Sequence, residues 1–285
     1  HRGIQVMWFT DWALHAPFHL LFEPVQPELL GGGCVKDASP ADRLLLDRPR
    51  KKNLYLPHLF QSLMFRSCLY EGSMPELMRT HFDFLHWAQR EGGYLASCYA
   101  FYPYPEDLLK KLFVPLPDIR SEISRRVSAF PTYTIGVHVR RTDHACAIKE
   151  SPLKLFEEKI DTEREAHPDL KVYLATDSEE VKSRMRKRYG EMIFSAPQEA
   201  ARHSVEGIKD GVAEMYALSH TQRIYGSYGS SFSEMAAQIG GVPFVVVRAI
   251  SDKADDSGDV DYPTFEKAAA AHCAALVLAT LPHVA

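Results

Sequence analysis

The chain has 285 residues, 46% of them hydrophobic and 25% charged, with a formal net charge of -4 at pH 7. These are values of an ordinary globular protein, long enough for one large or two medium domains that each bury a sizeable core. The mild acidity speaks against bulk binding of nucleic acid or an anionic membrane surface, and no apolar run reaches the roughly 18 residues needed to span a bilayer.

The first half reads as irregular. His1-Arg2-Gly3 leads straight into a strand-like segment, residues 4–9. A domain that opens this way, with no earlier strand and helix, is expected to have further sequence upstream. Residues 12–25 are rich in aromatics and end in Phe22-Glu23-Pro24-Val25, and Gly31-Gly32-Gly33 marks a loop. Residues 54–69 and 74–89 carry helical apolar spacing, with Ser73 and Pro75 placed to start the second helix. Tyr102-Pro103-Tyr104-Pro105 interrupts the pattern. Pro115 and Pro117 bracket a turn before a helix of residues 118–129, which marks the crossing from a first domain, 1–130, to a second, 131–285.

The second half is regular. Strands are predicted at 133–139, 172–175, 192–194, 223–226 and 244–248, alternating with helices. Ser151-Pro152 caps a helix with Leu153, Phe156 and Ile160 on one face. Asp177 caps another, favoured by Glu179 and Glu180 at its start and Gly190 past its end. Val212, Met215 and Leu218 form a third stripe, and Ser231 opens a fourth helix that stops at Gly240-Gly241. Residues 252–261 read as an acidic loop and 265–281 as an alanine-rich closing helix. Strands and helices in this alternation predict βαβ units, an α/β fold with a parallel sheet covered on both faces. Ligands of such sheets bind beyond the carboxyl ends of the strands. That edge brings together residues 138–143, Thr176-Asp177 and residues 227–231.

The most informative stretch is Ile135-Gly-Val-His-Val-Arg-Arg-Thr-Asp143. A buried-type strand runs into two arginines, whose planar forks grip phosphate oxygens two at a time. Strand alternation sends one into the crevice and the other toward the flank of the sheet or an adjacent loop. The pair reads either as a diphosphate clamp or as a solvated pair with Asp143 as partner. His138 shares the facing of Arg140, as a ligand group or a structural histidine. Asp177 reads as a helix cap that also borders the crevice. The small residues of Gly226-Ser-Tyr-Gly-Ser-Ser231 let backbone N–H groups approach a phosphate at a helix N-terminus, although no Walker lysine follows. Glu214 sits on the flank of its helix, as an acceptor for a base or ribose or as a solvated side chain. A serine hydrolase built on Ser230 or Ser231 lacks the Gly-x-Ser-x-Gly turn. The five cysteines show no Cys-x-x-Cys spacing and read as reduced, mostly buried thiols, favouring a reducing compartment. The thirteen histidines form no ligand cluster, so no zinc is expected.

The nine-residue motif, with Val172-Tyr-Leu-Ala-Thr-Asp177, resembles the α1,6-fucosyltransferases of the vertebrate N-glycan core and rhizobial nodulation type. Leu112-Phe-Val-Pro115, the charged helix after it and the serine turn at 227–238 are similar as well; good coverage is residues 108–250. The resemblance implies a GT-B-like fold of two Rossmann-type domains with parallel sheets, the N-terminal one incomplete or irregular and on the acceptor side. It implies inverting, metal-independent transfer of fucose from GDP-fucose to a glycan hydroxyl, with no cofactor. Catalytic roles would fall to Arg140, on the β-phosphate, and Asp143. Donor contacts would fall to His138, Arg140, Arg141, Asp177, Glu214, Ser230 and Ser231. The chain departs from the pattern at His144, where the core family has lysine, and at Ala147, where it has an acceptor-side glutamate; the N-terminal Gly-rich donor loop is absent. A transferase of another GDP-sugar and a catalytically degenerate nucleotide- or glycan-binding module therefore stay open. The missing vertebrate extensions favour a bacterial-type, cytoplasmic protein, with a lumenal catalytic fragment of a secretory-pathway enzyme as the alternative.

Overall fold

The computed structural model describes residues 3–10, 14–46, 55–99, 101–105, 107–131, 133–142, 145–196, 201 and 203–249, with backbone only for 55–57. These residues belong to one compact unit, His1–Ala249. The acidic loop and closing helix expected at 252–261 and 265–281 lie outside the described residues.

Strand β1 (Gln5–Trp8) pairs in parallel with β2 (Cys34–Asp37), which the sequence pattern did not reveal. Helix α1 (Pro40–Leu45) starts at a capping box, with Ser39 and Asp42 bonding each other's backbone. The helix expected over 54–69 is α2 (Tyr55–Met64) only, because Ser67–Tyr70 forms strand β3. A short apolar run does not distinguish helix from strand; here parallel pairing with β4 (Gly93–Ala96) decides it. The helix expected over 74–89 is split into α3 (Met74–Arg79) and α4 (Phe84–Ala88). His81 ends α3 in a left-handed conformation, φ 52°, and the Asp83 carboxylate restarts the chain by accepting from the His86 N–H at 2.8 Å.

After α5 (Leu108–Leu112), α6 (Pro117–Val127) opens with proline in its first turn, as expected for residues 118–129. Then come β5 (Thr134–Val139), α7 (Ala145–Glu150), α8 (Leu153–Ala166), β6 (Lys171–Thr176), α9 (Glu179–Tyr189), β7 (Ile193–Phe194), α10 (Val205–Leu218), β8 (Ile224–Ser227), α11 (Ser231–Gly240) and β9 (Phe244–Val247). All five predicted strands are present, and they form one parallel sheet in the order β7-β6-β5-β8-β9.

Both faces of that sheet are covered. Ile135, Val137 and Val139 of β5 pack with Phe156 and Ile160 of α8 and Met185 of α9. On the opposite face Tyr173, Ala175 and Ile224 pack with Met215 of α10, Ala236 of α11 and Ile119 of α6. Phe18 and Phe22, from the aromatic segment of the first half, join this second cluster, so the N-terminal chain closes over the α10 side of the sheet. The chain leaves β5 toward β6 and β7, then returns to β8 on its other side, which makes the gap between β5 and β8 the switch point of the sheet.

Among the described cysteines, Cys34, Cys98 and Cys146 are exposed and Cys68 is half-buried; the expectation of mostly buried thiols is corrected. Among the described residues, no helix is long and apolar enough to cross a membrane.

Candidate functional site

A cavity of about 410 Å³ opens at the switch point, a size typical of small-molecule sites. Its lining comes from both halves of the chain. His138 and Arg140 end β5, Thr176 and Asp177 end β6, and Ser230 and Phe232 begin α11. Asp210 and Glu214 come from α10, and Lys182 from α9. Trp8, Phe22 and Phe113 bring an apolar wall from the first half and α5 loop.

The strand decides which arginine enters. Odd positions of β5 face α8, so Gly136, His138 and then Arg140 face the α10 side, where the cavity lies. Among the described residues Arg140 lines the cavity and Arg141 does not. The Arg141 guanidinium is half-buried on the other flank, where Nη1 donates to the Arg140 carbonyl at 2.9 Å and Nη2 to the Ser151 carbonyl at 2.7 Å. Burial lowers the Arg141 pKa from its ordinary value, and the Asp177 carboxylate offsets part of that.

Asp177 does not cap α9. Ser178 takes that place, its Oγ accepting from the Val181 N–H. The Asp177 carboxylate crosses to β5 instead and accepts from the Arg141 N–H at 2.7 Å, the Thr142 N–H at 3.2 Å and the Thr142 hydroxyl at 2.6 Å. Ser151 does not cap α8 either: Pro152 holds the N-cap position. The Ser151 hydroxyl is fully buried, donating to the Val247 carbonyl at 2.5 Å and accepting from the Tyr228 N–H at 2.8 Å.

Ser230 is the N-cap residue of α11 by position, yet its hydroxyl makes no cap bond; Oγ lies 3.2 Å from His138 Nδ1. The His138 ring also packs against Phe232, centroids 4.9 Å apart. The start of α11 thus borders the cavity with its N–H groups and partial positive charge. Ser231 is the first residue of that helix and is exposed. Asp143 lies outside the described residues.

The α10 wall is acidic. Asp210 and Glu214 are one turn apart on the same face, a spacing visible in the sequence although only Glu214 was singled out. Glu214 lines the cavity and is half-buried, and burial pushes its pKa up to about 8. Arg126 and Lys182 work against that shift, while Asp210 and Asp177 add to it. Arg126, buried beneath the wall, ion-pairs with Asp210 and with Glu122 at 2.7 Å, and its Nη1 donates to the Tyr173 hydroxyl at 3.3 Å. Lys182, also buried, pairs with Glu179 at 2.6 Å. Lys182 and Ser151 were missed in the sequence: Lys182 was not singled out, and Ser151 read as a cap.

Ala147, where the resemblance places a glutamate, is fully buried in α7. The Glu150 carboxylate lies 3.7 Å from Arg248.

No protein-family model matches the chain, and no curated protein does. Solved structures do match. The Bradyrhizobium fucosyltransferase NodZ aligns over 85% of this chain and 84% of its own, at 19% identity and a TM-score of 0.55. The NodZ α1,6-fucosyltransferase co-crystallised with GDP aligns over 85% of this chain and 83% of its own, at 18% identity and a TM-score of 0.54. The same enzyme soaked with GDP-fucose gives 19% identity and a TM-score of 0.53 over the same shares. The chain shares this fold, α/β with parallel sheets and GT-B-like, as the motif resemblance implied.

Proposed function

We propose that the protein is a glycosyltransferase that moves fucose from GDP-fucose to a glycan hydroxyl. The observation that carries this reading is the mixed lining of the cavity: His138, Arg140 and the start of α11 together with Asp210 and Glu214 of α10. A diphosphate needs fixed cationic and N–H donors. A guanine presents N–H donors on its pairing edge and is suited to the carboxylates of α10. The NodZ structures with GDP and GDP-fucose, which share the fold, support the same donor class.

In the proposed reaction the bond between fucose C1 and the β-phosphate oxygen breaks as C1 bonds to an acceptor oxygen on the opposite face, inverting the anomeric centre. Positive charge develops on the sugar and negative charge on the departing GDP. Arg140 and the N–H groups of α11 are placed to absorb the latter, which is the role a metal would otherwise fill. The acceptor proton passes to a carboxylate, for which Asp143 is proposed. His138, held by Ser230 and Phe232, completes the donor side, and the first half is proposed to supply the acceptor side.

Isothermal titration with GDP tests this. Binding that is lost or weakened at least about a hundredfold in Arg140→Ala is expected, since a charge-assisted bidentate contact is removed; a wild-type protein that takes up no GDP sinks the reading. A panel of GDP-sugars scored by turnover decides the sugar. One observation favours a second reading, a nucleotide-binding protein without transfer: the buried Ala147 leaves the family's acceptor-side carboxylate without a counterpart at that position. GDP binding with neither donor hydrolysis nor transfer would select it.

A further inference from the structure

We infer that Arg141, Ser151 and Asp177 form a brace whose task is to position Arg140, and that Arg141 acts on the donor only through it. The Arg140 peptide is held on both sides. Its N–H donates to Ser227 Oγ at 3.1 Å, and its carbonyl accepts from Arg141 Nη1 at 2.9 Å. Ser227 in turn donates to the His138 carbonyl at 3.3 Å, tying β8 to β5 next to the cavity. Arg141 is itself pinned at both ends, its backbone N–H by Asp177 and its guanidinium by the Ser151 carbonyl. Ser151 then carries the brace across the sheet: one hydroxyl joins β9 at Val247 to the turn after β8 at Tyr228.

The chain ends of β5, β6, β8 and β9 are thereby linked through three side chains, none of them in a position to leave its partners cheaply. A guanidinium bonded to two backbone carbonyls of its own protein is oriented away from a diphosphate on the other face of the strand. Its planar fork suits this double contact, which a lysine ammonium cannot reproduce from one atom with the same reach. A site that must meet a phosphate with a preset side chain gains from holding the backbone on either side of it.

The brace serves the nucleoside-diphosphate site proposed above, so the experiment carries one readout that needs no nucleotide. Arg141→Lys and Ser151→Ala are compared with wild type by GDP titration, each alone and in an Arg140→Ala background, and by amide hydrogen exchange of the ligand-free proteins. Each single variant is expected to weaken GDP binding about tenfold, the effect of losing a buried hydrogen-bond partner. In the Arg140→Ala background neither is expected to weaken it further, because the residue they position is gone. The Arg140 amide is expected to exchange faster in both variants. Losses that add to that of Arg140→Ala overturn the brace and make Arg141 a direct ligand, and unchanged exchange at Arg140 overturns it too. A wild-type protein that binds no GDP overturns the donor reading alone, and the exchange result then decides the brace. Arg141→Lys sits at a half-buried position, so the test survives if Ser151→Ala does not fold.

Discussion

The two halves of the molecule use the same pairing, parallel strands, to opposite effect. In the second half five strands share one sheet, and all six residues of β5 are buried. In the first half β1 with β2 and β3 with β4 stand as separate two-stranded pairs, and β1 carries no buried residue. A two-stranded parallel pair cannot enclose a core of its own. The first half accordingly borrows one: Phe18 and Phe22 pack into the cluster of α10 and α11, while Leu69, Met74 and Phe84 make only a small cluster. The difference teaches where rigidity is available, and the cavity's polar residues sit on the half that has it. The first half contributes the apolar wall.

Stability should split along the same line, and this is the largest effect expected. Phe156 is fully buried between α8 and the sheet, whereas Phe84 sits in the small cluster at 7% exposure. Phe156→Ala is expected to cost about 3–5 kcal/mol by chemical denaturation, and Phe84→Ala about half as much because a small cluster can relax around the void. Equal losses would break the comparison and show that the first half is packed as tightly as the sheet.

Legibility followed this contrast too. The strands of the sheet were found because buried parallel strands read as continuous apolar runs bounded by turns. β2, β3 and β4 escaped, since Cys34–Asp37 and Gly93–Ala96 are too polar or too short to show a period. At the site, His138, Arg140, Asp177, Glu214 and Ser230 were singled out and all line the cavity. What the sequence hid was the use of Asp177 and Ser151. Both stand just before a helix, where a small polar residue is read as a cap. A cap is a local bond, visible from spacing. A bond from Asp177 to Thr142, or from Ser151 to Val247, depends on strand order, which spacing does not encode.

A smaller perturbation would sharpen the claim that rigidity sets the site. A Cβ on Gly226 would run into Ser233 Oγ and lie 2.7 Å from Phe244 Cε2, so the missing side chain is what lets α11 sit against β8. Gly226→Ala is expected to cost about 1–3 kcal/mol, as overpacking does. It should also weaken GDP binding, because the displaced element begins with Ser230 and Phe232. Leu63→Ala, at an exposed position of α2, is expected to stay within about 0.5 kcal/mol and leave GDP binding unchanged. If Gly226→Ala lowers stability but not affinity, the start of α11 takes no part in holding the nucleotide.

The smallest effect is a pH dependence, and it probes the acidic wall alone. With its pKa pushed up to about 8 by burial, Glu214 is protonated in most molecules at pH 7. Its folded pKa lies above the ordinary glutamate value, so its contribution to stability is fully present below that value and is lost as pH rises through about 8. Binding runs the other way. In the proposed donor site a carboxylate that accepts from the N–H donors of guanine must be ionised, so GDP binding is expected to expel the proton. Affinity should then rise about tenfold from pH 7 to pH 9, the fraction of ionised protein setting the gain. At pH 7 the titration heat should change with the ionisation enthalpy of the buffer, reporting close to one proton released. Glu214→Gln should abolish both dependences, lower affinity most at pH 9, and remove the loss of stability that Glu214 brings as pH rises from its ordinary value, 4.5, to about 8. A proton release that persists in Glu214→Gln would move the titrating group elsewhere, with Asp210, its neighbour one turn away, the next to test.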